Sequence, residues 1–194
     1  MAGGRGTRLN RGEKPLVRLN DIPVIEYVLA SITGAGLKPV VITSHHTPYT
    51  ANYCRVRCID QIYTEGAGYI ADLREVISFL DEDGPILTAC ADIPGLSVDH
   101  LTYIMKKYWA SKKPACSVWI PLEERAELAK DSDPYAEIIS GVKAVPAGIN
   151  ILHGSSQDEE QEEVRILIDD SALSYNINTP DDLCRCEDFF RQNK

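Results

Sequence analysis

The chain has 194 residues, 44% hydrophobic and 25% charged, enough apolar material to close a core without disulfide staples. Its net charge of −9 argues against bulk nucleic-acid binding, and no apolar run approaches the ~20 residues that span a bilayer. The opening Met1-Ala2-Gly3-Gly4-Arg5 has no apolar signal core, so the expected compartment is a reducing cytoplasm.

In chain order, helical and extended patterns alternate. Val24 to Ile32 has helical spacing behind Pro23, and Gly34 and Gly36 end it. Val40-Val41-Ile42-Thr43 is a short β-branched run that reads as a buried strand, and Val56 to Tyr63 reads as another. Tyr69 to Leu80 returns to helix, with Ile70, Leu73, Val76, Ile77 and Leu80 on one face. Gly84-Pro85 breaks it, and Ile86 to Ala91 reads as a buried strand. Ser97 caps a helix running to about Lys112.

Ala115 to Ile120 follows as a strand, then a polar stretch, 122–134, expected as helix and loop. Tyr135 to Ile139 and Val142 to Leu152 read as strands. Gln157 to Glu163 is strongly acidic and reads as an exposed loop or helix start. Ile166 to Ile168 and Leu173 to Ile177 read as short strands. Thr179-Pro180-Asp181-Asp182 starts a last helix that presents Leu183, Cys186 and Phe190 to the core. This order predicts one α/β domain over 1–194: a three-layer, mostly parallel sheet with helices on both faces and a β-rich final third.

The acidity of the chain is uneven. Residues 1–18 carry Arg5, Arg8, Arg11, Lys14 and Arg18 against Glu13 alone. A cationic patch on an acidic protein suits a small polyanion such as a triphosphate. Glycines among those cations, in Ala2-Gly3-Gly4-Arg5-Gly6-Thr7-Arg8, let main-chain N–H groups approach phosphate oxygens. The segment is not a P-loop, because Gly-Lys-Ser/Thr is absent. It is not a dinucleotide fingerprint either, because Leu9 stands where the third glycine belongs. Asp92 follows the strand Ile86 to Ala91, and a carboxylate just past the carboxyl end of a buried strand stands where α/β sheets bind ligands. A hard oxygen ligand there suits Mg²⁺ bridging phosphates; the other reading is a cap on a proline-containing turn. His45 and His46 follow a strand and could border the site, but they read first as solvent-exposed loop residues. Cys90 and Cys116 sit in apolar runs as small core residues, while Cys54/Cys58 and Cys184/Cys186 lack zinc-finger spacing.

The glycine segment followed by Glu13-Lys14-Pro15-Leu16 resembles the signature of the nucleotidyltransferases with a glycosyltransferase-A-like (GT-A-like) fold. Three further segments narrow the resemblance: Gly66-Ala67-Gly68-Tyr69-Ile70-x-Asp72-Leu73, then Val145-Pro146-Ala147-Gly148-Ile149-Asn150, then Tyr175-Asn176-Ile177-Asn178-Thr179-Pro180-Asp181-Asp182-Leu183. In this order they resemble the archaeal-type GTP:adenosylcobinamide-phosphate guanylyltransferases of cobalamin biosynthesis, over nearly the whole chain.

That resemblance implies roles. Gly3, Gly4, Arg5, Gly6 and Thr7 would hold the GTP phosphates, and Arg8, Lys14 and Asp92 would be the catalytic groups, with Lys14 on the α-phosphate. Asp92 would bind Mg²⁺. Asn178 would be a second metal or phosphate contact, or else a plain polar residue before a helix. Gly66, Gly68 and Tyr69 would lie by the guanine or the acceptor, or else serve turn geometry, and Gly148 would allow close approach of substrate. GTP and a phosphorylated corrinoid are the implied partners, and a homodimer the implied assembly. A molybdenum-cofactor or sugar-phosphate nucleotidyltransferase and a non-catalytic GTP-binding module are the rival readings. Members of the resembled family carry an apolar strand before Ala-Gly-Gly. The expectation is therefore that a first, central strand is missing and that Met1 is an internal methionine of a longer protein.

Overall fold

The computed structural model describes residues 1–4, 12–124, 135–156 and 159–192. A 3-10 turn, Lys14–Leu16, leads into a small antiparallel pair, β1 (Arg18–Leu19) and β2 (Ile22–Pro23). The chain continues through α1 (Val24–Gly34), β3 (Val41–Ser44), α2 (Pro48–Val56), β4 (Gln61–Thr64), α3 (Tyr69–Leu80) and β5 (Pro85–Ala89). The second half holds α4 (Val98–Ser111), β6 (Ala115–Pro121), β7 (Glu137–Ile139), β8 (Val142–His153), β9 (Glu163–Leu167) and α5 (Pro180–Gln192). No helix among the described residues is long and apolar enough to cross a membrane.

The helix starts follow from local chemistry. The Ser97 hydroxyl accepts the His100 N–H, and His100 Nδ1 accepts the Ser97 N–H, so α4 begins with a reciprocal cap. At the start of α5, Asp182 Oδ2 accepts the N–H groups of Asn178 and Thr179, and the Thr179 hydroxyl accepts the Asp182 N–H. In α3, Leu73, Val76 and Ile77 are the buried apolar face.

Two predicted strands are corrected. Pro48–Val56 is helix α2, and the strand that Val56 to Tyr63 suggested is confined to Gln61–Thr64. Only Thr50 and Cys54 of α2 are buried, so the helix lacks the apolar stripe that periodicity detects. Leu173 to Ile177 is not a strand. It follows a 3-10 turn, Ser171–Ser174, whose first N–H bonds go to Asp170 rather than to a ladder: the Ala172 N–H to the side chain and the Leu173 N–H to the backbone carbonyl. Residues 125–134 of the polar stretch lie outside the described residues.

β3 pairs with β4 in parallel, and β6 with β9 in parallel. The long β8 runs against β5, β6 and β7. Since β8 opposes both, β5 and β6 point the same way, so most strands share one direction while the ladders around β8 are antiparallel. Between β3 and β5 lie only Met1 and Ala2. The Met1 ammonium donates to Ala89 O at 2.8 Å, the Ala91 N–H donates to Met1 O, and the Ala2 N–H donates to Ile42 O. The first two bonds form a parallel bridge centred on Cys90.

Helices cover both faces, as alternate residues of β3 show. Val41 packs with Ile25 and Leu29 of α1 and Cys54 of α2, while its neighbour Ile42 packs with Val76 of α3. The largest core cluster lies farther along the sheet, where Leu101, Ile104 and Tyr108 of α4 meet Val118, Val145, Ile149 and Ile166.

Candidate active site

Three side chains from distant parts of the chain meet just beyond the end of β5. Lys14, first residue of the 3-10 turn, directs Nζ to Asp92 Oδ2 and to Asn178 Oδ1, the latter at 2.7 Å. Lys14 and Asp92 retain only 17% and 14% of their side-chain exposure, so this pair is far less screened by water than a surface ion pair. Asp92 is fixed from behind, because its backbone carbonyl accepts the Ile177 N–H. That bond docks the segment before α5 and delivers Asn178. Asn178 is pinned in turn through its N–H to Asp182.

The Lys14 turn has an anchor that sequence reading missed. The Glu13 carboxylate accepts the N–H groups of Tyr49 and Thr50, at 2.7 and 2.5 Å, at the start of α2. A carboxylate there satisfies orphan donors and complements the helix dipole. With α2 unrecognised, nothing marked Glu13 as more than part of a motif. Thr47-Pro48, the same pair that opens α5 as Thr179-Pro180, was the available signal.

A cavity of about 470 Å³ opens beside Lys14 and Asp92, within the range of small-ligand sites. Gly3 and Gly4 form one wall, and the Gly66–Gly68 loop with Tyr69 and Asp72 forms another. The Ser44 side chain links the two walls: its hydroxyl donates to Gly3 O at 2.6 Å, and a Cβ on Gly66 would sit 3.0 Å from its Oγ. Gly66 also has φ +71°, so both space and backbone select glycine. Tyr69 ties the loop to the sheet, its hydroxyl 2.9 Å from Thr88 Oγ1 and accepting from Asn150 Nδ2 at 3.2 Å. Burial raises the pKa of that hydroxyl and keeps it neutral.

Gly3, Gly4, Lys14, Gly66, Gly68 and Asp92 of the expected site thus share one cavity, and Asn178 joins them through Lys14. Arg5, Gly6, Thr7 and Arg8 lie outside the described residues. Gly148 stands apart from the cavity wall. Its φ is +75°, and a Cβ there would press on Cys90 Sγ at 3.0 Å, so its glycine serves packing behind Cys90. His46, expected in solvent, lines the cavity next to Gly66, whereas His45 is exposed. All six cysteines are unpaired. Burial, with Asp92 adding to it, raises the Cys90 thiol above its ordinary range, which makes it an apolar neighbour rather than a nucleophile.

The Asp92–Asn178 oxygens fit a hard divalent cation. Asp92 Oδ1 is buried and has no hydrogen-bond partner among the described residues, a costly condition for a carboxylate oxygen that a cation relieves. Carboxylate and amide oxygens are the donors that Mg²⁺ prefers.

Comparison with known proteins agrees with this geometry. Residues 1–146 match the model of the MobA-like NTP transferase domain. The chain is 34% identical to the adenosylcobinamide-phosphate guanylyltransferase of Methanocaldococcus jannaschii, over 94% of this chain and 91% of that protein. It is 26% identical to a molybdenum cofactor guanylyltransferase of Yersinia pestis, over 65% of this chain and 62% of that one. Among solved structures, the molybdopterin-guanine dinucleotide biosynthesis protein A of Archaeoglobus fulgidus superposes with a TM-score of 0.67 at 21% identity, covering 98% of this chain and 96% of that one. The fold is the GT-A-like nucleotidyltransferase fold that the motifs implied.

Proposed function

Because the chain belongs to the MobA-like NTP transferase domain family, we propose that it transfers GMP from GTP to adenosylcobinamide phosphate, giving adenosylcobinamide-GDP and pyrophosphate. The observation that carries this reading is the convergence of Lys14, Asp92 and Asn178, separated by 78 and 164 positions, beside a glycine-walled cavity. Both ends of the chain contribute to that point, which supports treating 1–194 as one catalytic unit. The acceptor and the base follow the archaeal relative, similar over nearly its full length.

The acceptor phosphate is ionised at neutral pH, so the reaction needs no general base. One of its oxygens attacks the α-phosphorus of GTP. A new P–O bond forms as the bond from the α-phosphorus to the β-phosphate bridging oxygen breaks, and pyrophosphate leaves with that electron pair. Lys14 neutralises charge on the α-phosphate as it accumulates. Gly3 and Gly4 expose backbone to the phosphates, and Arg8 adds a second cation by resemblance. Asp92 and Asn178 would hold Mg²⁺, which supplies Lewis-acid neutralisation of the phosphate oxygens when bound. Holding both phosphates in line supplies the remaining acceleration.

The test is pyrophosphate release from each of the four NTPs with Mg²⁺, with and without adenosylcobinamide phosphate. Release is expected with GTP and only when the acceptor is present. Turnover with molybdopterin instead would favour the other guanylyltransferase branch, which the Yersinia pestis similarity keeps in view. GTP uptake without pyrophosphate release under any acceptor would make the chain a binding module. A homodimer working in the cytoplasm completes the proposal; sedimentation velocity checks the first, and the six unpaired cysteines support the second.

A further inference from the structure

Asp72 is a buried carboxylate that the reaction above does not use. It lies in the first turn of α3, retains 5% of its exposure, and lines the cavity. Its Oδ1 accepts the Ala67 N–H at 3.0 Å. No donor among the described residues reaches its other oxygen, and no cation pairs with it. That second oxygen is not sealed from solvent as Asp92 Oδ1 is, so it opens on the cavity. Capping the loop needs one oxygen and no burial. The second oxygen, held in a ligand cavity, is left for a ligand that donates.

Resting on the guanylyl reading above, we propose that Asp72 selects the base, its unshared oxygen accepting a hydrogen bond from the 2-amino group of guanine. The chemistry discriminates among bases. Guanine presents N1–H and the 2-amino group side by side, matching an acceptor-only carboxylate. Adenine puts a ring-nitrogen acceptor at position 1, which the carboxylate repels. Hypoxanthine lacks the 2-amino donor, and xanthine has a carbonyl oxygen in its place.

The experiment measures kcat/KM for GTP, ITP and XTP by pyrophosphate release, in the wild type and in Asp72→Asn. A charge-assisted bond to one donor makes the wild type favour GTP over ITP by about tenfold or more. In Asp72→Asn that ratio falls below about threefold. XTP gains at least about tenfold relative to GTP, because the new amide donates to the xanthine carbonyl. Asparagine keeps an oxygen for Ala67, so a purely capping role leaves both ratios where they were, and that result overturns the proposal. If the variant fails to fold, the wild type decides: equal use of GTP and ITP overturns it. Turnover of GTP with unmoved ratios defeats Asp72 alone, whereas no turnover with any nucleotide defeats the guanylyl reading and this assignment with it.

Discussion

Among the described residues, strands β5, β8, β6 and β9 form one continuous sheet in which β8 pairs with three neighbours, whereas β3 and β4 pair with each other and reach that sheet through Met1 and Ala2. The core divides the same way. The large cluster under α4 belongs to the ladder side, and the β3–β4 side rests on smaller clusters around Val41 and Ile42. An apolar slot of about 290 Å³ runs on from Met1 between β3 and β5, lined by α1 and α3. The difference teaches where the chemistry sits. Asp92 projects from the rigid ladder, while the glycine walls and the Lys14 turn belong to the loosely joined side. Ligand-binding loops are commonly drawn from the less stable part of a fold.

The sharpest break in this division is expected from Asp92→Ala. It removes the proposed cation ligand, so kcat should fall by roughly two to three orders of magnitude. The melting temperature should fall only modestly: Lys14 loses its Asp92 partner but keeps Asn178 Oδ1, and the cost of burying the unbonded Asp92 Oδ1 is removed. Calorimetry alongside steady-state kinetics checks both halves of that expectation. Native-state hydrogen exchange then measures the division directly. Amides of β3 and β4 should exchange at least about tenfold faster than those in the middle of β8, a gap of about 1.4 kcal/mol in opening energy. Equal protection would erase the distinction.

Glu13→Ala acts inside the loose side. Loss of two N–H partners at the start of α2 should cost about 1–2 kcal/mol of stability. It should also raise the KM for GTP several-fold, because the Lys14 turn loses its anchor. Stability that falls without any change in KM would detach Glu13 from the site.

The smallest effect concerns the join itself. Burial holds the Met1 ammonium below its ordinary value of 8.0. Between that lowered value and pH 8 the unfolded chain binds more protons than the folded one, so stability should climb as pH rises through the interval. An extension of about four apolar residues before Met1 removes the buried charge and fills the slot. It should flatten that pH slope and raise the melting temperature. An unchanged slope in urea titrations at pH 6.5 and 8.5 would show that the ammonium is not the source.

Much of the site was legible as residue types. Gly3, Gly4, Lys14, Asp92 and Asn178 each carry a chemical reason to approach a triphosphate and its cation, and the structure gathers them. The base-selecting role proposed for Asp72 was not legible: the residue stood in the resembled Gly66–Leu73 segment, but nothing in the spacing showed that it would be buried on the cavity wall. The anchoring role of Glu13 was hidden, and the two readings of His46 stayed open, because both depend on what packs beside them. Helix α2 escaped because an apolar stripe is visible in a sequence only when the helix buries one.

By itself the sequence determined the local elements whose causes are local: the cap at Ser97, the Leu73, Val76 and Ile77 part of the face predicted for Tyr69–Leu80, whose Ile70 and Leu80 are exposed, and the proline and acids opening the last helix. Tertiary structure alone decided that β8 runs backwards between β5 and β6, that Leu173 to Ile177 bonds to neighbouring loops instead of a strand, and that residues 14, 92 and 178 share one point. Caps and periodicity act within a few residues, whereas strand order and the burial of polar groups are settled by contacts between segments that only the folded chain brings together.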